Sequence, residues 1–365
     1  MDFLQIIKEH IRCYPFMEPQ DFGKLVFQSE FGPEHMISDR QQAESFLIEE
    51  WKTLRKDPVT DIWEGRQEMA QPVKTAPPIK TAQPVSKSLC RFPLYACDSA
   101  HQAKLLAHLF LATGERQEGT VKGLEEKLRQ LGELRIPGME EWAASWKREG
   151  YPPVHHSRAY RERYQPHYRL VKKEYADYFT ALSEIYRLIR GGKPAVVAID
   201  GRCGSGKTYL AEVIGRLFPC NICHMDDFYL PMEQRREKWR EIPGGNMDLE
   251  RFLTEVLRPV RTGGQTVVYR PYDCKRDAFG EAVQMPSVGL TVVEGSYSHH
   301  PILAAEYDLT IFLTCNREEQ RKRLRTREGD SFPAFEKQWI PMEENYFRSY
   351  SIEAEIHLVI DTSDF

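Results

Sequence analysis

The sequence has no apolar run approaching the ~18 residues that a membrane-spanning helix requires, so no membrane partner is expected. It has no basic excess either. Fifty Lys and Arg face 54 Asp and Glu, for a formal net charge of −4. A dedicated nucleic-acid binder usually carries a positive surplus, so nucleic acid is an unlikely partner. Eight cysteines in 365 residues are too few for a disulfide framework. The start, Met1-Asp2-Phe3-Leu4-Gln5, is broken early by acidic and polar residues and does not read as a signal peptide. A reducing cytoplasm is the expected compartment. Cys220 and Cys223, followed by His224, form a lone C-x-x-C with no second pair, and read as part of a buried strand. His155-His156 has no Cys or carboxylate at ligand spacing and makes a poor metal site.

The length suits two domains, three at most, and a 41% hydrophobic content can fill sizeable cores. The first domain, 1–170, reads as mainly helical. Phe3, Leu4, Ile6, Ile7 and Ile11 recur at helical spacing. A second helix begins near Pro19 or Asp21, and Phe31-Gly32-Pro33 breaks it. Asp39 can cap a third, with Ala43, Phe46, Leu47 and Ile48 facing inward. Residues 70–88 differ in composition. Gln71-Pro72-Val73-Lys74-Thr75-Ala76-Pro77 is nearly echoed by Ile79-Lys80-Thr81-Ala82-Gln83-Pro84-Val85, and the stretch reads as an extended, exposed insertion. A short strand over 90–95 and helices over 101–112, 121–131 and 139–148 follow. Tyr151-Pro152-Pro153-Val154-His155-His156-Ser157 then opens a dense run of His, Arg and Tyr that extends to Tyr168. Such a run suits an anion or a base, or an internal interface.

A helix over 172–189 leads into the second domain, 171–365. There, strand candidates 195–199, 221–225, 266–269, 290–293, 309–313 and 356–360 alternate with helical patterns. That alternation makes the fold class α/β: a parallel sheet covered by helices on both faces, with ligands at the carboxyl ends of its strands.

The organising motif is Gly201-Arg202-Cys203-Gly204-Ser205-Gly206-Lys207-Thr208, which reads G-x-x-x-x-G-K-T between a strand and a helix. Backbone N–H groups of such a loop turn inward around phosphate oxygens, and the helix N-terminus adds a positive dipole end. Lys207 can reach the β and γ phosphates of ATP, and the Thr208 hydroxyl can ligate Mg²⁺. Asp226 and Asp227 follow a strand, and Asp226 is the candidate general base. Glu294 ends another strand, as an acid on the metal side. Arg317, Arg321, Arg323, Arg325 and Arg327 stud one segment; Arg323 and Arg327 share a helix face and can neutralise charge on a transferred phosphoryl group. Asp248, in a Gly-rich loop, can accept from acceptor hydroxyls or cap a helix, and Tyr272-Asp273 suits a polar ring or polyol.

Over about 175–365 these ordered pieces resemble the uridine kinase and phosphoribulokinase family of P-loop kinases. The resemblance is carried by the phosphate loop, Asp226-Asp227-Phe228-Tyr229, Asn246-Met247-Asp248, Tyr272-Asp273, Val293-Glu294-Gly295 and the arginine-rich lid. It implies a P-loop NTPase sheet, ATP and Mg²⁺ as cofactors, and γ-phosphate transfer to a hydroxyl. It also implies Asp226 as base, Thr208 and Glu294 at the metal, and Tyr229, Asp248 and Tyr272 in the acceptor pocket. The family's uridine kinases carry a histidine shortly after the Tyr-Asp pair; here Cys274-Lys275-Arg276-Asp277 stands there, which suits an acidic or phosphorylated acceptor at least as well. Pantothenate-, glycerate- and sugar phosphate-like acceptors therefore stand beside nucleosides. The first domain resembles, more loosely, a bacterial domain of unassigned activity with a Tyr-Pro-x-Val-His-His-Ser stretch. Expected partners are ATP and a small hydroxylated substrate, with homo-oligomerisation open. The rival reading is an ATP-gated binding protein with little turnover; nucleic-acid handling through the 158–168 cluster is the weakest.

Overall fold

The computed structural model describes residues 2–56, 82–115, 119–264 and 266–365. The chain divides into two compact units, Met1–Phe179 and Thr180–Phe365.

The first unit opens with α1 (Phe3–Cys13). Asp2 accepts from the Gln5 amide and the Gln5 side chain accepts from the Asp2 amide, so two otherwise orphaned donors are satisfied. Next comes α2 (Pro19–Phe31), with proline at its first position and nine consecutive buried residues, Asp21–Ser29. In α3 (Arg40–Lys56), Leu47 is fully buried but Phe46 is 63% exposed, against the inward position expected for it. Successive helical residues lie about 100° apart, and the buried stripe through Leu47 leaves its neighbour outside. Four helices follow: α4 (Ala100–Gly114), α5 (Val121–Gly132), α6 (Met139–Arg148) and α7 (Arg158–Tyr164).

Three strands join them: β1 (Gln83–Pro84), β2 (Leu89–Pro93) and β3 (Tyr168–Lys172), antiparallel in that order. The unit is mainly helical but carries this small sheet. Of the insertion expected at 70–88, residues 70–81 lie outside the described residues. In the remainder, Gln83 and Pro84 pair with β2 and Val85 is fully buried, whereas Ala82, Lys87 and Ser88 are exposed. The helix expected over 172–189 is two, α8 (Lys173–Asp177) and α9 (Phe179–Arg190), interrupted at Tyr178.

The second unit is built on β4 (Ala195–Gly201), every residue of which is buried. After α10 (Lys207–Leu217) come β5 (Asn221–His224), a helical stretch α11 (Leu249–Phe252) and α12 (Arg258–Thr262) joined by a wide turn, and β6 (Val267–Tyr269). Three short strands follow: β7 (Tyr272–Asp273), β8 (Ala278–Phe279) and β9 (Val283–Met285). The chain continues through β10 (Leu290–Glu294), β11 (Leu309–Thr314) and α13 (Arg317–Glu328). It ends with α14 (Phe332–Ala334), a wide turn, α15 (Ile340–Ser349) and β12 (Leu358–Asp361).

Five strands form one parallel sheet in the order β12-β11-β4-β10-β5. The strand expected at 266–269 is not among them. It forms as β6 but pairs antiparallel with β9, around the β7–β8 hairpin. No helix lies between Tyr269 and β9 to carry the chain back for a parallel pairing, so the return is antiparallel. Cys223 is buried in β5 and remains a free thiol, as does Cys220. Val196, Ala198, Cys223, Val293 and Phe312 pack with Phe228, Phe252 and Tyr346 in the core. No helix among the described residues is long and apolar enough to cross a membrane.

Two deeply buried histidines contribute to the first unit's response to acid. His10 and His156 are buried, and burial, aided by the nearby Arg91 charge, pushes both down to about 3. Between pH 3 and 6.5 the unfolded chain binds more protons at these rings than the folded one, so stability falls as pH falls through that window. Hydrogen exchange at α2 amides, corrected for the intrinsic pH dependence, should show lower protection at pH 5 than at pH 7. Equal protection would contradict this.

Candidate functional site

The phosphate loop owes its shape to close backbone passage. Gly201 ends β4 at φ +139°, and a Cβ there would sit 2.0 Å from the Leu313 carbonyl oxygen of β11. Only glycine fits. Gly204 (φ +76°) and Gly206 (φ +95°) supply the remaining left-handed turns before α10 begins at Lys207. The Arg202 amide donates to Leu313 O at 3.1 Å and the Ser205 amide to Arg202 O at 3.0 Å, which pins the loop to the sheet.

Lys207 arches over this loop. Its Nζ donates to Gly201 O at 2.7 Å and Arg202 O at 3.2 Å. The Thr208 hydroxyl donates to Glu294 Oε2 at 3.2 Å, so a hydroxyl and a carboxylate stand together where β4 and β10 end. Glu294 Oε1 accepts from His224 Nδ1 at 2.5 Å, and this bond raises the imidazole above its ordinary value. His224 had no role in the motif reading. Parallel register places it directly beside Glu294, which strand-end position alone would have flagged.

Lys207, Thr208 and Glu294 line a cleft of about 670 Å³ together with Asp226, Tyr229, Arg323 and Arg327, and His224 stands behind Glu294. That volume suits a nucleotide-sized ligand. Asp226 accepts from the Tyr229 hydroxyl at 2.9 Å. Its neighbour Asp227 instead accepts from Tyr269 at 2.9 Å, and burial pushes its carboxyl up. Arg323 is anchored behind the loop, donating to Gly204 O at 3.3 Å and Thr362 O at 2.6 Å. Arg327 pairs with its neighbour Glu328 at 2.5 Å, lies over the Phe335 ring, and its side chain is half exposed. Arg202 points elsewhere, paired with Glu344 at 2.7 Å and Glu353 at 2.9 Å.

Two acceptor-pocket candidates stand outside the cleft lining. Asp248 is the N-cap of α11, accepting from the Arg251 amide at 3.2 Å, so the capping alternative describes it. The Tyr272 hydroxyl is bonded to Asp277.

Sequence reasoning also missed Glu343. This residue of α15 is only 6% exposed, and its carboxylate accepts from the Cys203 amide of the loop at 2.9 Å and from Ser296 Oγ at 2.5 Å. No local pattern marks it; it reaches the loop only through the packing of α15. A carboxylate seated on a loop amide is direct evidence that the loop draws anions. The donor set also fits a hard divalent cation, since Thr208 and Glu294 offer only oxygen. The residues present therefore fit a nucleotide polyphosphate with Mg²⁺. Among the described residues no group of three or more His, Cys, Asp or Glu is arranged to hold a metal without such a ligand.

The fold and loop define the second unit as a P-loop α/β domain. No family model matches the chain, and no curated protein matches it. Solved structures do. A protein described as a possible uridine kinase from Bacillus stearothermophilus is 19% identical, with a TM-score of 0.37, covering 49% of this chain and all of its own. A protein described as a fructose transport system kinase, from Silicibacter sp. TM1040, is 23% identical, with a TM-score of 0.37, covering 47% of this chain and 97% of its own. Shikimate kinase from Bacteroides thetaiotaomicron is 14% identical, with a TM-score of 0.26, covering 45% and 84%. At these scores the likenesses carry no weight for function, which is argued below from the cleft.

Gly201→Ala tests the close passage directly. The added methyl meets backbone at 2.0 Å, so one strand must move. Stability should fall by at least about 2 kcal/mol, read from the urea midpoint. An unchanged midpoint would show that the sheet and loop are not held this tightly.

Proposed function

We propose that this chain is an ATP-dependent phosphotransferase that moves the γ-phosphate of ATP to a hydroxyl of a small metabolite. One observation carries the reading: Lys207, the Thr208–Glu294 pair and Asp226 line a single cleft at the carboxyl ends of parallel strands. Bound ATP with Mg²⁺ would supply the phosphoryl group and the charge that screens it. The chain's own residues do the rest. Loop amides cradle the phosphates, and Lys207 leaves the two carbonyls it now holds to meet them. Thr208 and Glu294 would hold the cation. His224, bonded to Glu294, orients that carboxylate.

Asp226 takes the proton of the acceptor hydroxyl, oriented for it by the Tyr229 hydroxyl. Arg327, not anchored as Arg323 is, is the arginine suited to close on the transferred group. Glu343 must release the Cys203 amide for an anionic phosphate to approach without like-charge repulsion. The acceptor remains a class, a hydroxylated metabolite, uridine kinase-like in the order of its motifs. Lys275 and Arg276 follow Tyr272-Asp273 and favour an acidic or phosphorylated one.

Glu343 also favours a second reading. A loop amide already occupied by the protein's own carboxylate is a natural gate, so ATP could switch the chain's state with little turnover. Asp226→Asn separates the two. In a kinase it lowers phosphoryl transfer about 10²–10⁴-fold while ATP still binds. In a gated binder neither quantity moves.

Lys207→Ala should abolish acceptor-stimulated ATP consumption, measured against nucleosides, pantothenate, glycerate and sugar phosphates, while circular dichroism stays unchanged. Turnover equal to that of the unsubstituted chain would refute the assignment.

A further inference from the structure

We propose that the first unit binds a protonated phosphate group, free or on a small metabolite, at a buried site formed by Arg91, His10 and Tyr160. The proposal does not rest on the kinase reading.

Arg91 is fully buried, on β2. A guanidinium in that position ordinarily meets a carboxylate. Here its Nε and Nη2 both donate to one neutral atom, Gln28 Oε1, at 3.0 and 2.8 Å, and its Nη1 has no partner among the described residues. Its other neighbour is the Tyr168 ring, 4.8 Å from the guanidinium carbon to the ring centroid. Lys24 is buried close by, donating to Val154 O at 2.9 Å. The one buried carboxylate of this cluster, Asp21, is already saturated. It accepts from His156 Nδ1 (2.9 Å), the Ser157 amide (3.0 Å), Ser157 Oγ (2.7 Å) and the Glu18 amide (3.0 Å). Two buried cations thus face one carboxylate, and the site carries an excess of positive charge. Water can fill a vacant hydrogen bond but cannot neutralise that charge.

The vacant atoms specify the anion further. His10 Nε2 lies 2.8 Å from Pro84 O, and a carbonyl only accepts, so Nε2 carries the hydrogen. Burial and the Arg91 charge keep the ring neutral. His10 Nδ1 is therefore a buried lone pair, and among the described residues it has no donor. The Tyr160 hydroxyl is also buried and without a partner among the described residues. The rings of His10 and Tyr160 flank the same Tyr14 ring, with centroids 6.0 and 5.3 Å from it; the Tyr14 hydroxyl donates to Gln83 Oε1 at 2.8 Å, and Gln83 stands opposite Arg91 in the β1–β2 register.

The site thus lacks an acceptor for Arg91, a donor for His10, and either for Tyr160. A carboxylate or a sulfate offers acceptors only. A phosphate bearing one proton offers both. The His156 and Ser157 side chains, from the Tyr151–Ser157 stretch, occupy the Asp21 carboxylate, so the motif that the kinase reading leaves unused takes up the acid that Arg91 would otherwise pair with.

The test uses the full chain carrying Lys207→Ala, which weakens phosphate binding at the loop. Thermal shift and titration calorimetry at pH 6, where a monoester with a second pKa of about 6 still carries its proton in about half the molecules, compare inorganic phosphate, sulfate and glycerol phosphate at constant ionic strength with chloride. Phosphate or its monoester should stabilise saturably, with sulfate at least tenfold weaker. Tighter binding of the monoester assigns a metabolite, and tighter binding of inorganic phosphate assigns the free ion; both uphold the site. Arg91→Met should abolish the effect and Tyr160→Phe, which removes one unbonded hydroxyl, should weaken it several-fold. Equal responses to all three anions, or phosphate binding unchanged in Tyr160→Phe and Arg91→Met, would overturn the proposal. Should Arg91→Met fail to fold, ¹⁵N-histidine spectra of the chain decide. The His10 Nδ1 resonance, assigned with His10→Gln, shifts on phosphate addition if the site is real, and a stationary resonance rejects it.

Discussion

Gly201 passes so close to Leu313 that no side chain can come between them, and the rest of the second unit's site follows from that contact. It joins the end of β4 to β11 and forces the chain into a tight left-handed turn, which the following glycines complete. The helix that emerges starts at Lys207, so the lysine and the Thr208 hydroxyl are placed by backbone geometry rather than by side-chain packing. Parallel pairing then aligns strand ends. Glu294 stands beside both Ile199 and His224 because β10 lies between β4 and β5 in register. A carboxylate, an imidazole and a hydroxyl meet at one point for the same reason that every parallel sheet has a single carboxyl edge.

The first unit is organised by a different constraint. Its most buried helix, α2, carries Asp21, Lys24, Gln28 and Ser29 on a run that solvent barely reaches. Burying that many polar groups is tolerable only where each finds a partner. Asp21 finds four, whereas Arg91 finds, among the described residues, only a shared amide oxygen. That asymmetry separates a structural network from a site awaiting a ligand. Glu343 presents the opposite case in the second unit, where an internal carboxylate already occupies an anion-seeking loop amide.

Much of the second unit was readable from residue order. The phosphate loop, the strand before it and the helix after it follow from one motif whose backbone demands are strict, and β10 and β11 from apolar runs that only buried strands sustain. The lapses share a cause. Residues 266–269 have a strand's composition, but composition does not say which strand will pair with them, and they joined β9 instead of the parallel sheet. Phe46 was placed inward because it is apolar, yet its helix buries a stripe through Leu47. For Asp248 the sequence leaves an acceptor contact and a helix cap open together, and the start of α11 uses it as a cap.

The sequence by itself determined that a phosphate loop sits between a buried strand and a helix, because glycine spacing and a terminal Lys-Thr encode a local backbone path. It determined that acids at strand ends would lie on the loop's side of the sheet, because parallel strands share direction. Only tertiary structure decided that Asp226 and not Asp227 faces the cleft, that Glu343 reaches the loop from 140 residues away, and that Arg91 is buried against the amide oxygen of Gln28. Those outcomes depend on how distant elements pack, and a residue's own neighbours in the chain carry no record of what will be pressed against it.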